Sequence, residues 1–170
     1  EGVPTEPSHF CATRLDQYIS DIRCDLRDYN ALRKIVQEAQ PDFIFHLAAQ
    51  AILSRSVEDP RSTYETNVLG TVHMLEVLRE IDKPCTAIFI TSDKCYENRE
   101  WSRGYCEDDV LGGKDPYSSS KAAAEFAISA HLKTFFNIES SLARIAIGRA
   151  GNVVGGGDWA PNRIVPDCVR

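Results

Sequence analysis

The sequence predicts an α/β fold, a doubly wound parallel sheet, on three observations. Phe43-Ile44-Phe45-His46-Leu47 and Ala87-Ile88-Phe89-Ile90 are short continuous apolar runs, the pattern of strands buried on both faces. Leu142 to Ile147 supplies a third strand. Between the runs, apolar residues recur at helical spacing, so strand and helix alternate along the chain.

Taken in order, residues 1 to 20 hold Pro4, Pro7 and Ser8 and read as a loop. Ile22 to Leu26 reads as a short strand ending in Asp25-Leu26-Arg27-Asp28, with Asp28 placed to cap the next helix. Leu32, Ile35, Val36 and Ala39 give that helix an apolar stripe, which stops before Pro41. The first apolar run then ends in the small residues Ala48 and Ala49, and His46 reads as a packed strand-end histidine. Tyr64, Val68, Val72, Leu75 and Leu78 mark a long helix whose face Asn67 interrupts. The second run follows a Lys-Pro turn and ends in Ser92-Asp93-Lys94. That polar end falls at the carboxyl edge of the sheet, where open α/β folds bind ligands. Residues 97 to 116 are polar and Gly-rich and read as a long loop over the site. Ala122 to Leu132 continues a helix begun near Tyr117 with strong helix formers. Arg149 to Val154 and three consecutive glycines close the pattern.

Composition narrows the function. A chain of 170 residues buries one substantial core, and 43% apolar with 26% charged residues is ordinary for a globular protein. The net charge of −6, without a basic stripe, excludes a nucleic-acid partner as an expectation. No apolar run approaches the roughly 20 residues that span a bilayer, so no membrane association is expected. Glu1-Gly2-Val3-Pro4 has neither the basic start nor the apolar core of a signal peptide. Cys11, Cys24, Cys85, Cys95, Cys106 and Cys168 form no Cys-x-x-Cys pair and have no histidine partners at zinc spacing. They read as free thiols in a reducing cytoplasm, with no metal site.

The chemistry concentrates in Tyr117-Ser118-Ser119-Ser120-Lys121. Residues four apart on a helix share a face, and a cationic ammonium near a phenol favours the phenolate. A phenolate is a base usable at neutral pH. Taken alone, Tyr-x-x-x-Lys is common by chance. Here it follows the turn formers Gly112-Gly113-Lys114-Asp115-Pro116 and comes after the polar strand end at Thr91-Ser92-Asp93-Lys94.

With His46-Leu47-Ala48-Ala49-Gln50, Asn67-Val68-Leu69-Gly70-Thr71, Thr91 to Asn98, Asp115 to Glu125 and Arg149 to Ala160, the chain resembles the extended short-chain dehydrogenases/reductases, and Ser92 to Tyr96 and Gly155 to Ala160 carry the narrower resemblance. Within that group it is most similar to the CDP-sugar 4,6-dehydratases. The resemblance implies a Rossmann-like sheet lacking its first strand-helix unit, because no Gly-x-x-Gly-x-x-Gly stands near residue 1. Residues 1–154 would be part of a dinucleotide-binding domain, and 155–170 the start of a truncated substrate-binding region.

The resemblance also implies NAD as cofactor, bordered by Asp25, Leu26, Ala48, Ala49, Gln50 and Asn67, with Ser92, Tyr117 and Lys121 reaching it. Tyr117 would take the proton of the sugar's 4-hydroxyl, with Lys121 holding the phenolate and Ser92 bonding the same oxygen. Asp93 would be the acid for the C6 hydroxyl. Lys94 stands where many such dehydratases have glutamate, and is either a base for the C5 proton, a residue that orders water, or a solvated strand-end lysine. Asn152, Asp158, Trp159 and Arg163 match substrate-side positions, although an exposed arginine is the ordinary alternative for Arg163. The implied substrate is CDP-glucose, and the implied assembly a cytoplasmic homodimer that supplies deoxysugars for surface polysaccharides. A related sugar-nucleotide epimerase and a non-catalytic fragment or binding module are the competing expectations. An isolated chain without the phosphate turn is expected to be inactive.

Overall fold

The computed structural model describes residues 8–136, 139–153, 155–160 and 162–169. It divides into two compact units. One runs from Asp25 to Gly151, and the other joins the segment ending at Cys24 to the segment beginning at Asn152. In chain order, α1 (His9–Ala12) is followed by α2 (Tyr29–Ala39), β1 (Phe43–His46), α3 (Leu53–Glu58), α4 (Pro60–Tyr64) and α5 (Gly70–Arg79). Then come β2 (Cys85–Ser92), α6 (Pro116–His131), β3 (Ala143–Ala150) and α7 (Ile164–Val169). The described part of residues 1–20 is therefore not all loop. A single helical turn needs only local bonds, such as Thr13 N–H to the His9 carbonyl at 3.0 Å, and carries no periodic signal.

In the larger unit the three strands are parallel and ordered β1-β2-β3. The register sets Ile44, Ala87 and Ile145 in one row and His46, Phe89 and Ile147 in the next but one, all on the face the helices cover. Leu32 and Val36 of α2, Leu75 and Leu78 of α5 and Ile128 of α6 pack there. Each fully buried Leu, Ile or Phe contributes roughly 1.5–3 kcal/mol by leaving water. Along β1 the alternate residues Phe43 and Phe45 are 64% and 61% exposed. A strand points successive side chains to opposite faces, so an unbroken apolar run does not by itself bury both faces.

Local chemistry explains the helix ends. Asp28 caps α2 by accepting from Ala31 N–H at 3.0 Å, and Gln40, at φ 41°, ends it before Pro41. Asp59 caps α4 in the same way, with Pro60 at the first helical position. A π-helical turn at Glu65–Leu69 joins α4 to α5, so the expected long helix carries one widened turn, a frequent mark of function.

The expected strand at Ile22–Leu26 is not one. A strand exists only where a neighbour takes its backbone groups, and the Leu26 carbonyl instead accepts from His73 Nδ1 of α5 at 2.8 Å. Leu26 also lies over Gly70, where a Cβ would stand 2.9 Å from the Leu26 Cβ. A side chain at residue 70 would push Leu26 off α5.

Candidate active site

The site is built where β2 ends and α6 begins. Thr91 and Ser92 are the last, buried residues of β2, and Asp93–Cys95 turn away as one 3-10 turn. Ser92 Oγ accepts from Lys94 N–H at 3.2 Å and donates to Asp93 Oδ1 at 3.1 Å. Asp93 and Lys94 pair at 3.6 Å with side chains 51% and 43% exposed, so the turn presents a solvated acid and a solvated cation side by side.

Asp115 fixes the start of α6. Its carboxylate accepts from Ser118 N–H at 2.9 Å and from Ser118 Oγ at 2.7 Å, and Pro116 takes the first helical position. Gly113 is required before it, because a Cβ there would lie 2.4 Å from Ser119 N. On this helix Tyr117 is half-buried and Lys121 is 8% exposed. Among the described residues Lys121 Nζ makes one hydrogen bond, to the Ile90 carbonyl of β2 at 3.4 Å. An ammonium carries three donors, so this one is under-satisfied. Burial holds its pKa below that of a free lysine.

His46 lies buried at the end of β1, beside Phe89 and 3.4 Å from Thr71 Oγ1. Burial, and then the Lys121 charge, holds its pKa down at about 4, so it is neutral at pH 7. The unfolded chain would bind this proton near 6.5, and the folded one does not until about 4. Stability is therefore full above pH 6.5 and falls as pH drops towards 4, by about 3 kcal/mol from this group. Urea midpoints across that range should fall less steeply for His46→Gln; equal slopes would overturn the reading.

Asn67 sits in the π-helical turn and is 2% exposed. Its Oδ1 accepts from Gln50 N–H at 2.8 Å, and its Nδ2 donates to the Gln50 carbonyl at 3.0 Å and to Ser120 Oγ at 2.9 Å. Ser120 Oγ in turn donates to the Tyr117 carbonyl at 2.7 Å. One amide thus ties the segment after β1 to the Tyr117 turn of α6. Ala48 is exposed and Ala49 half-buried beside Gln50, leaving backbone open at the carboxyl end of β1. Asp25, in the same unit, is bound by Arg27, whose hydrogen bonds hold its carboxyl down at about 2.

The smaller unit holds the other expected residues. Asp158 and Arg163 come together, Nε to Oδ2 at 3.5 Å, and Asp158 Oδ1 also accepts from Ala160 N–H at 3.1 Å. Trp159 is half-buried and Asn152 exposed. Residue 154, the expected domain boundary, lies outside the described residues.

A family described as GDP-mannose 4,6 dehydratase matches residues 7–145. The chain belongs to that family. The CDP-glucose 4,6-dehydratase of Salmonella typhimurium is 46% identical over 99% of this chain and 48% of its own length. The chain thus spans about half the length of that relative, and 34% of the CDP-paratose 2-epimerase of Salmonella typhi. Its fold is that of a dTDP-glucose 4,6-dehydratase double mutant from Streptomyces venezuelae, solved with NAD and DAU bound. The TM-score is 0.80 at 23% identity, over 94% of this chain and 46% of that one. The Thermus thermophilus UDP-glucose 4-epimerase, in complex with NAD, gives a TM-score of 0.70 at 31% identity over 82% and 43%. The expected Rossmann-like sheet and the resemblance to extended short-chain dehydrogenases/reductases both hold for this member of the GDP-mannose 4,6-dehydratase family. Among the described residues no helix is long and apolar enough to cross a membrane.

Sequence reasoning missed the most heavily bonded group near the site. Glu125 of α6, 3% exposed, meets the Arg149 guanidinium of β3 through Nε at 2.8 and 2.9 Å and through a second nitrogen at 2.5 Å. Burial pushes the Glu125 carboxyl up, but the Arg149 and Thr91 hydrogen bonds outweigh it and leave it below its usual value. The available signal was spacing, since 117, 121 and 125 continue one face of α6.

Proposed function

We propose that the protein carrying this chain converts CDP-glucose to CDP-4-keto-6-deoxyglucose with tightly bound NAD. The observation that carries the reading is the buried, under-satisfied Lys121 ammonium one turn from Tyr117, beside a strand end reading Ser92-Asp93-Lys94. The 46% identity to a CDP-glucose 4,6-dehydratase supports the same substrate.

The residues present fit the nicotinamide half of a dinucleotide. Lys121 has donors to spare for ribose hydroxyls, and the small Ala48 and Ala49 leave the backbone beside Gln50 approachable. Asp25, Tyr29 and His73 line an open polar depression that suits an adenine edge, and Leu26 stands beside it with its carbonyl on His73. Bound NAD supplies a reversible hydride acceptor, so the sugar is oxidised at C4 and reduced at C6 within one turnover.

The protein's own groups move the protons. Tyr117 takes the 4-hydroxyl proton, Lys121 stabilises the phenolate, and Ser92 donates to the oxygen that becomes the ketone. The ketone acidifies the C5 proton, which Lys94 removes and later returns once covering by substrate leaves its amine neutral, or which a water that it orders removes in its place. Asp93 gives a proton to the departing C6 hydroxyl, and water leaves. Asp93 is half-exposed here, so covering by substrate must supply the desolvation that a carboxylic acid donor needs.

We read residues 1–154 as part of the dinucleotide-binding domain and 155–170 as the opening of the substrate-binding region. Asn152, Asp158, Trp159 and Arg163 would then serve the nucleotide and its diphosphate. Arg163 would exchange its Asp158 contact for a phosphate oxygen. Exposed apolar residues on α3, α5's entry turn and α6, among them Leu53, Leu69 and Phe126, support a homodimer. A cytoplasmic enzyme of surface-polysaccharide precursor synthesis is the cellular role this reading implies.

The test is product analysis of the intact protein with CDP-glucose. Loss of one water with a 4-keto-6-deoxy product supports the dehydratase. A 4-epimer formed without loss of water supports the epimerase reading instead. Asp93→Asn should slow water loss on the order of 10²-fold, with a 4-keto sugar that still holds its C6 hydroxyl accumulating in quenched reactions. If that variant fails before oxidation, Asp93 does not act at the elimination step.

A further inference from the structure

Glu125 and Arg149 do more than fill the space between α6 and β3. Thr91 Oγ1 donates to Glu125 Oε1 at 2.6 Å, and the Cys95 thiol donates to the same oxygen at 3.5 Å. The other end of the pair holds the next residue, as Arg149 donates to Tyr96 Oη at 2.9 Å and lies over the Tyr96 ring, 4.8 Å from its centre. Residues 91, 95 and 96 are therefore anchored to one ion pair, and the residues between the anchors are Ser92, Asp93 and Lys94. The first anchor is 7% exposed and the second 0%, so solvent does not compete for these bonds. The Cys95 thiol is pushed up to about 12 by burial and the adjacent carboxylate, so it stays a donor across the working pH range.

The other side of the pair belongs to the oxidation machinery. Glu125 stands one helical turn beyond Lys121, itself one turn beyond Tyr117, on a helix capped at Asp115 and continuous to His131. A charged pair with this many satisfied bonds has one favourable arrangement, which makes it a ruler between two elements.

We propose that Glu125 and Arg149 form a positioning clamp that sets the Ser92-Asp93-Lys94 turn at a fixed register against Tyr117 and Lys121. They are positioning residues for the elimination step. The catalytic half of this proposal rests on the dehydratase reading, whereas the mechanical half does not.

The clamp divides the reaction. Tyr117 and Lys121 ride on a helix that keeps its own hydrogen bonds without Glu125. The 3-10 turn has few such bonds, and its Tyr96 N–H to Asp93 carbonyl contact is long at 3.4 Å. Loosening the clamp should spare C4 oxidation and slow water loss. A misplacement of about 1 Å, or the loss of a supporting hydrogen bond, costs on the order of 10- to 100-fold.

Two variants of the intact protein test this. Glu125→Gln keeps the side-chain shape but removes the carboxylate charge and leaves the Arg149 guanidinium without its counter-charge. Thr91→Val keeps volume and removes only the anchor preceding Ser92, leaving the ion pair in place. Amide hydrogen exchange at residues 92–96 should speed at least tenfold in Glu125→Gln and to a lesser degree in Thr91→Val, while the amides of α6 stay protected. With CDP-glucose, both variants should keep their KM and accumulate an unreleased 4-keto sugar that still holds its C6 hydroxyl. Unchanged exchange at 92–96 in both variants overturns the clamp. Faster exchange with oxidation and water loss slowed equally overturns the selective positioning role. A wild-type protein that removes no water from CDP-glucose overturns the function proposed above, and exchange, which needs no substrate, still decides the mechanical half.

Discussion

Replacing Tyr117 by phenylalanine in the intact protein is expected to cut turnover of CDP-glucose by about 10⁴-fold, the upper range for a lost general base. Folding and sugar-nucleotide affinity should stay close to wild type. The two halves of this expectation have separate causes. Among the described residues the Tyr117 hydroxyl makes no hydrogen bond, so its removal strands no buried partner. The backbone there is held by other groups, through Asp115 at the cap and Ser120 Oγ on the Tyr117 carbonyl. What is lost is the one phenol a turn away from the buried Lys121 ammonium. Steady-state rates and a binding isotherm for CDP-glucose, measured on the same preparations, check both halves. A variant that retains substantial turnover removes Tyr117 from the role of base.

Much of this site is legible in the sequence, because its signals are local. Asp115-Pro116 followed by Tyr117 and Lys121 is a helix start with two functional residues at i and i+4, and the structure has that cap and that spacing. The parallel strands were legible as apolar runs, although β2 and β3 extend further than the runs themselves because ladder bonds continue through Thr91-Ser92 and Gly148 to Ala150. Two kinds of feature were not legible. The first was the fate of Ile22–Leu26, whose composition suits a strand but whose backbone is claimed by α5 through His73 and Gly70. Pairing is a property of neighbours, so no local pattern reveals its absence. The second was the long-range polar network. Asn67 bonds across 53 residues of chain to Ser120, Glu125 across 24 to Arg149, and Arg149 across 53 to Tyr96. Residue type alone marks these as ordinary surface candidates, and only burial reveals them as fasteners.

The largest stability effect is expected at Arg149. Arg149→Met should destabilise the protein by about 3–5 kcal/mol at pH 7, since it leaves a 3% exposed carboxylate without its counter-charge. The pH dependence identifies the cause. In the wild type the folded-state pKa of Glu125 lies below the ordinary value of 4.5. Its contribution is therefore present above that value and is lost as pH falls through the folded one. In the variant, desolvation acts without the guanidinium and raises the carboxyl pKa instead. The sign then reverses, and the variant's deficit relative to wild type should shrink as pH drops from 7 towards 5, where Glu125 enters its neutral form, while the loss due to His46 is common to both proteins. Pairing the change with Glu125→Leu removes the stranded charge and should restore much of the loss, as apolar replacements of buried ion pairs often do. Urea unfolding of the wild type, the single and the double variant at pH 5 and 7 distinguishes these outcomes. A deficit relative to wild type that does not shrink on acidification, or a double variant no better than the single, would show that Arg149 acts through its contacts with Tyr96 and the Glu107 carbonyl rather than through the charge of Glu125.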